Sequence, residues 1–244
     1  MMTSKPRVAV IGFPGSNGDH DAFHSLAADV GVDAVMVDYR ERSLADIDAV
    51  VLPGGFSYGD ALRAGAIARF APVMTAVRAF AQAGGPVLGI CNGFQVLTEA
   101  HLLPGALLRN RTLRFHCHHT HIRVERADSF WLGGLKPGDV LTLPIAHGEG
   151  SYFVDAETLA RLEANNQVAF RYVERDGSLT EEANLNGSVG AIAGVTNETG
   201  NVLGLMPHPE RATDPLTGGT DGLRILGNLL GLETAAASTA ARAS

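Results

Sequence analysis

A cysteine flanked by glycines, Cys91, stands between an apolar run and a helix-like stretch in the segment VLGICNGFQVL. Gly89 and Gly93 complete the G-x-nucleophile-x-G spacing of a sharp strand-to-helix turn, where larger side chains would collide. Such a turn presents the sulfur at a helix N-terminus, where the dipole favours a thiolate. The spacing therefore predicts a nucleophile rather than a cysteine that packs as a small apolar side chain. The backbone N–H of Asn92 is expected to donate to an oxyanion.

A nucleophilic cysteine needs a base, and two His-x-Glu pairs could supply one together with its orienting group. They are His147 with Glu149, and His208 with Glu210. In an extended chain residues two apart point the same way, so either glutamate could hold its histidine with one nitrogen facing sulfur. Prolines on both sides restrict the backbone of His208, which favours the 208/210 pair. The 147/149 pair stays open as the alternative.

A second glycine turn, LPGGFSYGD over residues 52–60, ends the strand that precedes the elbow strand. Its glycines allow backbone N–H groups to approach a ligand closely. Gly55 is therefore the expected second oxyanion donor, although a plain tight turn would have the same composition.

The run HCHHTH over residues 116–121 looks like a metal cluster. Because a strand alternates its faces, His116, His118 and the side chains between them cannot converge on one ion without a bulge. We expect no metal site there.

Composition excludes several classes of protein. The chain has 244 residues and a formal net charge of −7, with no basic stripe, so a nucleic-acid footprint is not expected. No apolar run has the ~20 residues of a membrane helix, and the N-terminal run is too short for a signal peptide. Two isolated cysteines in such a chain indicate the reducing cytoplasm rather than a Cys91–Cys117 disulfide.

Apolar, β-branched runs alternate with helix-like segments, which is typical of parallel βαβ units. The predicted strands are 7–13, 33–39, 48–55, 86–90, 113–125, 139–153, 167–173, 188–197 and 201–208, and the predicted helices are 19–30, 66–85, 92–103, 156–166 and 220–232. We expect one α/β domain over 7–230, with a mostly parallel central sheet flanked by helices and an added antiparallel strand region. The small, polar tail over 233–244 is expected to be disordered.

Several motifs resemble those of a known family. The elbow GICNGFQ and the segment MPHPE resemble the cysteine turn and the His/Glu pair of class I, triad-type glutamine amidotransferases. The stretches GGFSYGDALRAGAIAR (54–69), PIAHGEGSY (144–152) and NGSVGAIAGVTNETGNVLGLMPHPERA (186–212) are similar to glutaminase subunits of phosphoribosylformylglycinamidine synthase. The resemblance covers roughly residues 7–230.

The resemblance implies a role for each member of a Cys-His-Glu triad. Cys91 would attack the side-chain amide of L-glutamine, and His208 would act as the base and then protonate the leaving ammonia. Glu210 would orient His208. A glutamyl thioester would form, and water would hydrolyse it to glutamate.

The resemblance also implies the surroundings of the triad. Gly55 and Asn92 would supply the oxyanion N–H groups. Gly54 and Gln95 would belong to the glutamine pocket.

Partners follow from the resemblance as well. Ammonia would pass to a large, separate ATP-dependent synthase subunit that converts formylglycinamide ribonucleotide to formylglycinamidine ribonucleotide in purine biosynthesis, and a small third subunit is expected. Because the chain has no phosphate loop of the G-x-x-x-x-G-K type, we expect no cofactor in it, and we expect ATP and Mg²⁺ on the synthase.

Three other functions stay open from the sequence. A glutaminase serving another synthase would share the triad but not GGFSYGD, and a cysteine hydrolase with an elbow usually lacks the downstream His-Pro-Glu. A non-catalytic subunit would keep the fold alone.

Overall fold

The structure, a computed structural model, describes residues 5–126 and 134–228. The strands are β1 (Arg7–Gly12), β2 (Asp33–Asp38), β3 (Ala49–Leu52), β4 (Val87–Ile90), β5 (Ala106–Leu108), β6 (His116–Val124), β7 (Val140–His147), β8 (Ser151–Phe153), β9 (Val168–Val173), β10 (Ile192–Thr196) and β11 (Val202–Leu205). The α-helices are α1 (Asp19–His24), α2 (Pro72–Gln82), α3 (Asn92–Glu99), α4 (Ala156–Ala164) and α5 (Leu223–Leu226). The predicted disordered tail, 233–244, lies outside the described residues.

One sheet of nine strands organises the described residues, in the order β2-β1-β3-β4-β11-β10-β9-β6-β7. The pairings from β2 to β11 are parallel, and those from β11 to β7 are antiparallel. β5 and β8 form a separate antiparallel pair. The predicted fold class, an α/β domain with a parallel central sheet and an antiparallel region, is confirmed. The antiparallel strands continue the parallel sheet instead of forming a separate layer.

The core lies around the central parallel strands. β3 and β4 are buried along their whole length, as expected for continuous apolar runs covered on both faces. α3 is buried from Asn92 to Thr98 and packs against β3, β4 and β11. The helix that follows the elbow is therefore fixed at the centre of the domain.

The turn from β4 into α3 has the backbone that the glycine spacing predicts. Cys91 has φ +50° and ψ −104°, a conformation that costs strain in a residue with a side chain. At Gly93 an added Cβ would lie 2.0 Å from the carbonyl oxygen of Leu52, which belongs to β3. Gly93 must therefore lack a side chain because of its contact with β3 as well as because of the turn itself.

Gly93→Ala is expected to lower the free energy of unfolding by roughly 1–3 kcal/mol, because β3 or α3 must shift to admit the methyl group. Denaturant titration of the full chain measures the change. Gly12→Ala is the matched control, since the nearest atom to a Cβ there is 3.7 Å away and its φ is ordinary. Equal losses in the two variants would contradict the assigned contact.

Helix boundaries differ from the predicted ones for local reasons. Residues 66–85 do not form one helix but a short 3-10 turn, Ala68–Phe70, followed by α2. Pro72 is the first residue of α2, where its missing backbone N–H costs no hydrogen bond of the helix. The helix predicted over 92–103 ends at Glu99, and the following turn includes His101 at φ +57°.

β5 was not predicted, because three residues carry no periodic signal. No helix in the described part of the chain is both long and apolar enough to span a bilayer.

Candidate active site

The carboxyl ends of two neighbouring parallel strands meet at Cys91. β4 leads directly into Cys91, and β11 beside it leads to His208 three residues after its end. The N–H of Cys91 donates to the carbonyl of Leu205 at 2.8 Å. Ligand sites of open α/β sheets lie at this edge of the strands. The topology therefore brings together two residues that are far apart in sequence.

His208 and Glu210 form a buried pair. Nδ1 of His208 lies 2.6 Å from Oε1 of Glu210, and the two side chains are almost fully inaccessible. The sequence argument for this pair assumed extended backbone, and that part was wrong. Pro209–Arg211 is a single 3-10 turn, which places the carboxylate against the ring by curling the chain.

The electrostatics of His208 favour its charged form. Burial acts to lower the pKa of the imidazole, but the Glu210 carboxylate and the Cys91 sulfur outweigh it and raise the pKa to about 10. Glu210 leaves Nε2 of the ring free, and no described residue lies in hydrogen-bonding geometry to this nitrogen. The arrangement suits a proton held on the imidazole beside a sulfur.

Two glycines close the site from the β3 side. At Gly54 an added Cβ would lie 2.7 Å from Cε1 of His208 and 3.6 Å from Cβ of Cys91, so this glycine packs directly on both. Gly55 has φ +136°, and a Cβ there would lie 2.6 Å from the backbone nitrogen of Asn17. Only glycine fits at either position. Gly54 does not line the cavity described below, so its predicted contact with substrate stays a prediction.

Asn92 and Gln95, the first and fourth residues of α3, connect the elbow helix to two loops. The Asn92 side chain accepts from the N–H of Ser57 at 3.1 Å and donates to Oε1 of Gln95 at 2.9 Å. It also lies 3.3 Å from a carboxylate oxygen of Asp60. Gln95 in turn donates to the backbone carbonyl of Glu149 at 2.6 Å. The elbow helix thus fixes the glycine turn on one side of the sulfur and the HGEG turn on the other.

A cavity of about 200 Å³ opens beside the sulfur. The residues that line it are Gly55, Phe56, Asp60, Cys91, Gln95, Phe115, Ala146, His147, Gly148 and Glu149. Phe56 and Phe115 stack with their ring centroids 6.5 Å apart, and both are about half exposed. The cavity is small, and its wall contains a nucleophile, two carboxylates and an aromatic pair.

The alternative pair, His147 and Glu149, does not form a His–Glu contact. Nδ1 of His147 lies 3.1 Å from Oδ1 of Asn110, while the Glu149 carboxylate lies 3.7 Å from the guanidinium of Arg109. Burial, with the charge of His208 as the second cause, lowers the pKa of His147 to about 3. His147 is therefore neutral at physiological pH, and the geometry favours His208 as the base.

The histidine run lies on β6, on the antiparallel side of the sheet. The rings of His116 and His118 meet edge to face, with centroids 5.7 Å apart. Within residues 5–126 and 134–228, no group of three or more His, Cys, Asp or Glu side chains is arranged to hold a metal ion. Cys117, in the same run, is exposed and free, and Cys91 is buried and free.

Sequence reasoning missed two polar residues of the site. Asp60 closes the motif GGFSYGD, but nothing local indicates that its carboxylate faces the cavity. Asn110 is fully buried and bonds the ring and carbonyl of His147 and the N–H of Gly150. A buried asparagine inside the irregular stretch RNRTLR gives no periodic signal, so only the fold could identify it.

Comparisons with known proteins identify the family of the chain. A family model described as a CobB/CobQ-like glutamine amidotransferase domain matches residues 5–219. The phosphoribosylformylglycinamidine synthase subunit PurQ of Thermomicrobium roseum is 61% identical over 231 residues, which are 94% of this chain and 98% of that protein. The PurQ subunit of Rubrobacter xylanophilus is 58% identical, over 92% of this chain and 97% of its own. A chain of the solved PurLQS structure from Thermotoga maritima superposes with a TM-score of 0.82 at 41% identity, covering 93% of this chain and 98% of that one.

Proposed function

The chain belongs to the CobB/CobQ-like glutamine amidotransferases, among the PurQ subunits of phosphoribosylformylglycinamidine synthase, and on this premise we propose that Cys91, His208 and Glu210 hydrolyse the side-chain amide of L-glutamine. One observation carries the assignment of residues: the 2.6 Å His208–Glu210 pair beside a sulfur held at left-handed φ on a strand-to-helix turn. A thiol, a base and a group that orients the base are the parts that nucleophilic acyl transfer needs.

In the first step the sulfur attacks the amide carbon. His208 holds the thiol proton on Nε2, and Glu210 stabilises the resulting imidazolium through Nδ1. The C–S bond forms and the carbonyl oxygen becomes an oxyanion. The N–H groups of Gly55 and Asn92 are the donors we assign to that oxygen, because Gly55 lines the cavity beside the sulfur and Asn92 follows Cys91 at the first position of α3.

In the second step the tetrahedral intermediate collapses. The imidazolium gives its proton to the amide nitrogen, the C–N bond breaks and ammonia leaves. Water then attacks the glutamyl thioester as neutral His208 takes one of its protons. The C–S bond breaks, and glutamate and the thiolate–imidazolium pair are restored.

The ammonia is passed to a synthase in this proposal. The name PurLQS of the solved relative supports an assembly of this chain with PurL-type and PurS-type subunits. We place the use of ATP and Mg²⁺ on the synthase, which would convert formylglycinamide ribonucleotide to formylglycinamidine ribonucleotide. The cytoplasmic location stays a prediction.

Steady-state release of glutamate tests the proposal, with the full chain alone and with the synthase, the small subunit, nucleotide and acceptor. We expect slow hydrolysis by the chain alone and a kcat more than tenfold higher in the complex, about 1.4 kcal/mol of barrier. Gly55 is the moving part we assign, since a peptide flip there exchanges an N–H for a carbonyl at the oxyanion. Glutamate release in neither setting would contradict the function, whereas equal rates in both would contradict the gating alone.

A further inference from the structure

We propose that an ion pair behind the triad, Asp21 with Arg211, keeps Glu210 committed to His208 by holding the guanidinium of Arg211 away from the Glu210 carboxylate. Neither member of the pair lines the cavity beside the sulfur, so both are positioning residues. The inference rests on the proposed function and deepens it, since it concerns how the base is held.

Two cations lie beside the same oxygen of Glu210. Nδ1 of His208 is 2.6 Å from Oε1, and Nε of Arg211 is 3.8 Å from Oε1. Oε2 of Glu210 is buried and has no hydrogen-bond partner among the described residues. A guanidinium pairs with both oxygens of a carboxylate at once, which a single imidazole N–H cannot do. The position of the Arg211 guanidinium therefore decides whether Glu210 serves the base.

Asp21 takes the hydrogen bond of Arg211 that Glu210 would otherwise receive. Nε–H of Arg211 donates to Oδ2 of Asp21 at 3.0 Å. Asp21 belongs to the first turn of α1, which packs against the Pro209–Arg211 turn. The side chains of Asp21 and Arg211 are 48% and 30% exposed, and ion pairs with such exposure add little to the free energy of unfolding. We therefore assign the pair a role in placing the guanidinium rather than in stabilising the fold.

The pair lies in the wall of a second cavity of about 310 Å³, which Glu210 also lines. Among the described residues, Asp21 is the carboxylate besides Glu210 that forms an ion pair with Arg211. Cys91 and His147 are the groups beside His208 whose charge also acts on its ring. The elements packed against the Pro209–Arg211 turn carry these further charged or titratable side chains: Asp19 and His24 of α1, Asp29 of the following π-helix, His147 of β7 and Arg224 of α5.

The two members of the pair should have opposite effects on the charge of His208. Against the effect of burial, Glu210 and the Cys91 sulfur raise the pKa of His208 to about 10. A guanidinium that moves onto Glu210 weakens this support, so the imidazolium would lose its proton at lower pH. Removal of the guanidinium has the reverse effect, because a nearby positive charge disfavours the imidazolium.

The test measures glutamate release from L-glutamine by the full chain with its synthase, as a function of pH. Asp21→Asn should lower kcat by roughly 10-fold, because Arg211 draws Glu210 from the imidazole. It should also move the alkaline limb of kcat/KM to lower pH by roughly half a unit to one unit. Arg211→Gln should move that limb to higher pH. The double variant should regain most of the kcat lost in Asp21→Asn, since no guanidinium remains to capture Glu210.

Asp29→Asn is the matched control, because it removes the same charge from the same cavity and Asp29 is not ion-paired with Arg211 in the described part of the chain. It should leave kcat and the alkaline limb at their wild-type values. Misfolding of Asp21→Asn would not be reversed by a second substitution. A double variant no better than Asp21→Asn, or limbs that move in the same direction in both single variants, would overturn the inference. A wild-type complex that releases no glutamate would contradict the proposed function itself.

Discussion

Cys91→Ser is expected to abolish glutamine-dependent synthesis, with a loss of roughly 10³-fold or more in glutaminase rate. The serine hydroxyl is a far weaker nucleophile than a thiolate. Protonated His208 cannot take the proton of the hydroxyl, so it cannot activate serine as a base. Synthesis from added ammonia by the complex should continue, because the synthase chemistry does not use this sulfur. Product formation with each nitrogen source measures the two effects separately.

Cys117→Ser is the matched control, because Cys117 is the other cysteine of the chain and lies exposed on β6. It should leave both activities at the wild-type level. An electrophilic analogue of glutamine should label Cys91 and leave Cys117 unmodified, as read by peptide mass. Labelling at Cys117, or glutamine-dependent synthesis by the Cys91→Ser complex, would show that the nucleophile has been assigned to the wrong residue.

His208→Ala is expected to lower the glutaminase rate by roughly 10²- to 10⁴-fold, the usual range for loss of a general acid–base group. The variant removes the group that holds the thiol proton and the donor for the leaving ammonia. It should also slow alkylation of Cys91 near neutral pH, since less of the sulfur would be thiolate. Single-turnover formation of the thioester and the pH profile of alkylation measure the two consequences.

His147→Ala is the comparison for this prediction. Its ring is neutral and bonded to Asn110, so its loss should spare the reactivity of the thiol and act through packing around Asn110 or through contact with the synthase. If thioester formation fell equally and severely in the two histidine variants, His208 would no longer be distinguished as the base.

Local signals were enough to predict the central parallel strands and the elbow. The continuous apolar runs of β1, β3 and β4 indicated buried parallel strands, and the glycine spacing around Cys91 indicated the strained turn that the backbone shows. These features depend on residues that are neighbours in sequence, so the local sequence pattern is enough to predict them. Sequence also favoured 208/210 over 147/149, although the supporting assumption of extended backbone was wrong for Pro209–Arg211.

The walls of the cavity could not be predicted, because they depend on which loops meet. Asp60 and Glu149 come from the turns after β3 and after β7, and Asn110 comes from an irregular segment between β5 and β6. Whether such side chains face one space is decided by strand order and by hydrogen bonds such as Gln95 to Glu149. No pattern within any one segment carries that information.

The pairing of β4 with β11 has a consequence for synthesis of the chain on the ribosome. Val87 pairs with Val202, so the strand that leads to His208 can join the strand that leads to Cys91 only after the chain has been synthesised beyond Val202. Until then the elbow sequence is present without its imidazole or its parallel neighbour. The site assigned to Cys91 is therefore complete only when β11 has joined the sheet. On the proposed mechanism, chains that end before His208 lack the base and should hydrolyse no glutamine.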